Sequence, residues 1–227
     1  MKLAVLLVAL ASLSMRVYAN PCVAGSLASY EALGAAGCTI GTNLVSAFTS
    51  LPGTTGGTEI DPADISIMPS GGTSSPQLLF TLSQSASTSL LEALFTYQIS
   101  GNSFTQSEID LANASETGDG AVTDVQNLCV DGTFSADGVT GCNGSAALSQ
   151  LTLDGALNSS QTALAALSFL SVTDDFTIDP GTFGSASAGT FTDTFTAGTT
   201  TSTVPEPKST ILIAALALGL AIAAKRR

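Results

Sequence analysis

The side chains that could do chemistry between the ends of this 227-residue chain are carboxylates, hydroxyls and four cysteines. All six basic residues (Lys2, Arg16, Lys208, Lys225, Arg226 and Arg227) lie near the termini, and there is no histidine. Residues 20–203 therefore hold 17 of the 18 Asp and Glu residues, Glu206 being the other, with no Lys, Arg or His among them. Such a region lacks the parts for a Ser-His-Asp triad, a Cys-His dyad, a His-ligated zinc or a lysine Schiff base. Nor can it neutralise phosphates, which excludes nucleic acid and acidic lipid as partners of this region.

Carboxylates alone can hydrolyse glycosides when two flank the scissile bond. The candidate pairs are Asp174 with Asp175, and Asp131 with Asp137. Neighbours on a strand point to opposite faces, which counts against Asp174 with Asp175. The chain also has no Trp and only three Tyr to stack on a sugar. A carboxylate-only glycoside hydrolase is thus the weakest reading, and solvated acidic side chains are the plain one. Hard oxygen ligands for calcium are offered by Asp119, Asp124, Asp131 and Asp137, with carbonyls of Gly118, Gly120, Gly132 and Gly138. Their spacing is not that of an EF-hand, and a diffuse counter-ion cloud is the alternative. No other cofactor is expected. The sequons at Asn113, Asn143 and Asn158 fit chance in a chain with 58 Ser and Thr.

The elements that must carry these groups read as mainly β. Ala93, Phe95, Tyr97 and Ile99 alternate onto one face; Leu78, Phe80 and Leu82 do the same, as do Phe176 with Ile178 and Phe191 with Phe195. Strands are expected at about 43–49, 63–68, 77–83, 90–100, 106–113, 120–130, 146–153, 168–179 and 182–196, with Gly-Thr-Ser clusters between them. Short strands with frequent turns predict an antiparallel β-sandwich; a β-solenoid is the alternative, without a visible repeat period. One short N-terminal helix is expected over Ser26–Gly34, with Leu27, Tyr30 and Leu33 on one side. Residues 159–170 fit a helix or a strand. The four cysteines suggest two disulfides, and sequence proximity favours Cys22–Cys38 and Cys129–Cys142 among three connectivities.

Met1–Ala19 reads as a signal peptide, with Lys2 ahead of an 11-residue apolar stretch, Leu3–Leu13. An uncleaved membrane anchor is the alternative. At the other end come Val204, Pro205, Glu206 and Pro207, then 16 mostly apolar residues from Ser209 to Ala224, then Lys225, Arg226 and Arg227. A helix of that length rises about 24 Å against about 30 Å of hydrocarbon, a gap that flanking basic residues can close by snorkelling. The basic end should stay cytoplasmic, leaving residues 20–203 outside. A plain tail anchor is the alternative.

The ordered set of Pro205-Glu206-Pro207, a short membrane helix containing Gly219 and a basic end resembles the PEP-CTERM sorting signal of Gram-negative bacteria. Cys22, Tyr30, Leu33, Gly37-Cys38 and Ile40-Gly41 are similar to an N-terminal block in a group of such proteins, with Thr42 where that block often carries Asp. Val172-Thr173-x-Asp175 fits the same group. The resemblance implies an inner-membrane exosortase, a cysteine transpeptidase, as processing partner, and a surface or matrix destination after transient residence in the inner membrane. It supplies no catalytic residues.

The expected organisation is a signal peptide (1–19), a β-rich ectodomain (20–196), a Thr/Pro linker with the sorting motif (197–208) and a single C-terminal transmembrane helix with a basic tail (209–227). The expected function is that of an exported, non-enzymatic surface or extracellular-matrix protein. The alternative is a secreted adhesion module that binds exopolysaccharide or calcium.

Overall fold

The computed structural model describes residues 19–138 and 140–198. The signal peptide but for Ala19, the sorting residues Val204–Pro207 and Lys225–Arg227, and the C-terminal apolar segment lie outside the described residues. Among those described, no helix is long and apolar enough to cross a membrane.

The fold is mainly β and antiparallel. In chain order the elements are β1 (Gly25–Ser26), α1 (Leu27–Glu31), β2 (Cys38–Ile40), β3 (Asn43–Leu51), β4 (Thr58–Glu59), β5 (Ile65–Gly72), β6 (Ser75–Leu82), β7 (Ser85–Ala86) and β8 (Leu91–Ala112). Then follow β9 (Ser115–Thr117), β10 (Ala121–Val130), β11 (Ala146–Leu153), β12 (Ser159–Asp179), β13 (Ser185–Ser187) and β14 (Thr190–Ala197). Most of them join one sheet whose main path runs β1-β5-β6-β14-β8-β12-β10-β11, with β3 and β4 also on β8 and β2 on β3; β7, β13 and β9 form a small second sheet.

Two long strands fold the main sheet over on itself. β8 has 22 residues and β12 has 21. The first half of β8 lies between β3 and the second half of β12, while its second half lies between β14 and the first half of β12. Both strands bend at the same level. On β8 the partner changes between Ser100, where pairing with β3 ends, and Phe104, where pairing with β14 begins; Gly101 lies in this stretch, and an added Cβ there would lie 2.2 Å from Asn43 Oδ1. On β12 the register slips between Ala163 and Leu167, with Ala166 at φ 57°. One layer is thus β5-β6-β14 with the far halves of the long strands; the facing layer is β3, the near halves, β10 and β11. The expected sandwich is therefore built from one continuous sheet, and its antiparallel strands are not the coils of a solenoid.

Rings meet between the layers because the inward positions alternate along each strand. Phe80 of β6 lies 5.1 Å from Phe95 of β8, and Phe191 of β14 lies 5.1 Å from Phe176 of β12 (ring centroids). The segments expected as two strands at 90–100 and 106–113 are one bent strand, and 159–170 continues into β12 as strand. Residues expected as one strand at 182–196 are split into β13 and β14. The N-terminal helix is shorter than expected at five residues; Ser26 Oγ accepts from Ser29 N at 3.3 Å to cap it, and a 3-10 turn at Gly34–Ala36 follows.

Both disulfides pair as expected. Cys22–Cys38 ties the N-terminal segment to β2, with Cα atoms 4.8 Å apart, and Thr39 exchanges backbone hydrogen bonds with that segment. Cys129–Cys142 closes the loop after β10, with Cα atoms 5.4 Å apart. Thr173 Oγ1 donates to Gly138 O, which fastens this loop to the outer face of β12.

Candidate functional site

Inward positions in this core should be apolar, and three are carboxylates. On β10 the buried residues run Val122, Asp124, Gln126, Leu128; on β12 they include Val172, Asp174, Phe176 and Ile178; on β14, Phe191, Asp193 and Phe195. Asp124 and Asp174 belong to one layer and Asp193 to the other. The sheet folded on itself brings one carboxylate oxygen of each within 4.8 Å of the other two. All three side chains are 0% exposed.

A polar network surrounds them. Tyr97 Oη donates to Asp193 Oδ2, and Gln126 Nε2 donates to Asp174 Oδ1 at 3.1 Å. Ser107 Oγ donates to Gln126 Oε1 at 2.9 Å, and Gln150 Nε2 donates to the same oxygen at 2.6 Å. The network does not satisfy the cluster. Both oxygens of Asp124, Oδ2 of Asp174 and Oδ1 of Asp193 are buried without a hydrogen-bond partner, as are Thr152 Oγ1 and Gln150 Oε1.

Electrostatics follows from this packing. Burial holds the Asp124 and Asp174 carboxyls well above the usual range, and the neighbouring acids push the same way. Burial also lifts Asp193 to about 7, against the hydrogen bonds it takes from Tyr97, Asp174 and Gln126. The Tyr97 phenol is raised well above its ordinary value by burial and by the acids beside it. Three such groups cannot all be ionised without a counter-charge, and residues 20–203 contain no Lys, Arg or His to provide one. The cluster therefore either retains protons or surrounds a cation.

A second carboxylate pair lies on the outer face of the same layer. Glu92 is buried at 1% exposure beneath the loop after β3. It accepts from Thr54 N at 2.7 Å and Thr55 Oγ1 at 2.7 Å, with Thr55 N also donating. Burial would raise its pKa, but these hydrogen bonds outweigh it and the net shift is downward. Asp175 shares Thr54 Oγ1 with it and is pushed up to about 6, by burial first and by Glu92 second. A cavity of about 290 Å³ lies beside Glu92, lined also by Leu27, Pro52, Ile60 and Phe95. With both carboxylates on Thr54 Oγ1 and Glu92 held by its loop, the pair fastens residues 54 and 55 to the sheet.

The acids singled out from sequence are distributed differently. Asp174 and Asp175 point to opposite faces of β12, as adjacent strand residues must, so they form no catalytic pair. Asp131 and Asp137 lie in the disulfide-closed loop, where Asp137 accepts from Thr140 N at 3.1 Å. Asp119 accepts from Thr182 N and Phe183 N at 2.8 and 2.7 Å, which lowers its pKa and clamps the turn before β13. The expected calcium set of Asp119, Asp124, Asp131 and Asp137 is corrected accordingly: among the described residues, the carboxylates that converge are Asp124, Asp174 and Asp193. Asp193 went unnoticed although it has the same parity as Phe191 and Phe195; a carboxylate inside an apolar alternation was the available signal.

No protein-family model matches the chain, and no curated protein matches it. Among solved structures it is similar to a chain of the "Glycosylation Associate Protein (Gap123) complex from Streptococcus agalactiae", at 15% identity and a TM-score of 0.28. The match covers 70% of this chain and 27% of that one, so the chain spans about a quarter of that structure's length.

Proposed function

We propose that the chain is an exported, non-enzymatic protein of the cell surface or extracellular matrix, delivered by PEP-CTERM sorting and processed by an exosortase. The observation that carries this reading is the pair of disulfides, since such bonds persist in oxidising compartments outside the cytosol. They occur in a β domain lying between two terminal segments that read as addresses. The ectodomain acts in this reading by being displayed: its converging acids are sealed in the core, and its Glu92–Asp175 pair fastens a loop. An exopolysaccharide is the matrix partner this reading implies.

Mass spectrometry of the surface form from the producing cell tests the proposal. The expected product lacks Met1–Ala19 and most of Ser209–Arg227. Recovery of Lys225-Arg226-Arg227 on the surface form would replace sorting by a permanent anchor. Binding of the same material to a glycan array, with and without calcium, identifies the adhesion alternative by a saturable glycan signal.

A further inference from the structure

Moving a carboxylate from water into a protein interior costs several kcal/mol unless a partner compensates. Here three do so together, and four of their six oxygens have no hydrogen-bond partner. A proton shared between Asp174 and Asp193 would satisfy part of a neutral cluster, but both oxygens of Asp124 stay without a partner. No hydroxyl or amide donor reaches them, and a further buried hydroxyl without a partner lies beside Asp124. Thr152 is the direct cross-strand neighbour of Asp124, so the two side chains share a face. Thr152 is 0% exposed and its Oγ1 has no partner. Gln150, two residues before it on the same face, is 5% exposed and has an unpartnered Oε1. Unpartnered oxygens of Asp124 and Thr152 on one face, with two more buried carboxylates converging on Asp124, mark a place for positive charge.

The donor set selects the cation. Every candidate atom is a hard oxygen, with no imidazole or thiolate, which disfavours zinc and copper. Calcium binds oxygens at about 2.3–2.6 Å, so ligands on opposite sides of one ion stand about 5 Å apart. Carboxylate oxygens within 4.8 Å of one another suit that radius. Magnesium demands a tighter octahedron and keeps several waters, which suits a fully buried site poorly.

We infer that Asp124, Asp174 and Asp193 bind a buried calcium ion, with Thr152 Oγ1 as a neutral oxygen ligand. Two positive charges against three carboxylates leave one negative charge. The Tyr97 hydroxyl and the Gln126 amide meet it as donors to Asp193 and Asp174. Because the ligands come from both layers, the ion enters as the layers close and its binding is part of folding. The inference stands on the core alone and does not depend on the sorting reading.

The test uses the protein purified from the producing cell. Metal analysis after dialysis against metal-free buffer is expected to find one calcium per chain. After unfolding and refolding with chelator, millimolar calcium should raise the melting temperature with saturation, well beyond sodium or magnesium at equal ionic strength. Terbium, a calcium mimic, should emit when tyrosine is excited, because Tyr97 contacts a ligand. Tyr97→Phe should lose most of that emission. Asp124→Asn and Asp193→Asn should lose the calcium response, whereas Asp131→Asn on the exposed loop should keep it. Should either core variant fail to fold, the metal content and the tyrosine-excited terbium emission of the wild-type protein still decide. Absence of bound calcium together with equal effects of calcium and sodium overturns the inference and leaves a protonated acid cluster. A calcium response that survives both core variants overturns it in favour of surface carboxylates.

Discussion

Replacing Tyr97 by Phe removes the hydroxyl that donates to Asp193 Oδ2 inside the core. An acceptor left buried without its donor costs about 1–3 kcal/mol, so Tyr97→Phe should destabilise the protein by that amount in chemical denaturation. The same acids set a pH dependence in calcium-free, chelated buffer. Asp124 and Asp174 have folded values held high, with Asp193 at about 7 and Asp175 at about 6. The folded state thus binds more protons than the unfolded chain, whose aspartates titrate near 4. Their contribution is fully present below that pH and is lost as pH rises through the folded values. Glu92, with its lowered value, and Asp119 act in the opposite sense but are outnumbered. The melting temperature of the metal-free protein should therefore fall between pH 4 and pH 7.5; a rise over that range would contradict the buried arrangement. The acids at these positions were legible as a count and not as a site. Asp174 was read beside Asp175 along the chain, whereas its partners come from other strands, at Asp124 and Asp193. Distances of that kind are set by how the layers stack, which local alternation does not encode.

The elements themselves were largely readable, because period-2 alternation is a local property. The strands near 77–83, 120–130 and 146–153 stand where the pattern put them. The continuity of β8 through residues 101–105 was not legible, since Gly101 reads as a breaker while the strand uses it to pass close to Asn43. Introducing a side chain there, as in Gly101→Val, should destabilise by more than about 2 kcal/mol, in the range of overpacked core substitutions. Equilibrium unfolding measures it, and a value near zero would mean that β8 can bend elsewhere. The two short disulfide loops were legible because Cys22 and Cys38, and Cys129 and Cys142, are 16 and 13 residues apart. Removing Cys129–Cys142 by a double Ala substitution should cost about 2–4 kcal/mol. Loss should be greatest near Gly138, where the closed loop is bonded to Thr173; hydrogen exchange across 131–145 would locate it.

The whole molecule is a strongly acidic body, with 17 carboxylates in residues 20–203 and no basic residue among them. Like charges oppose the compact state, and salt shortens their reach from about 30 Å at 0.01 M to about 10 Å at 0.1 M. The melting temperature should rise as sodium chloride increases through that interval, by differential scanning calorimetry. Indifference to salt would show that the exposed acids are too dispersed to act together.

β14 is the last described strand, hydrogen-bonded to β6 on one side and β8 on the other. A protein held at its C-terminal end transmits tension into this strand first. Because both neighbours run antiparallel to it, a pull along its axis loads two ladders in shear at once, where an edge strand would peel one bond at a time. The same strand carries Asp193 across to the acids of the facing layer. Force applied through residue 198 must therefore drag a carboxylate away from its partners before β14 slides. The site and the mechanical clamp share one strand, so whatever neutralises those carboxylates adds to the load that the two ladders bear.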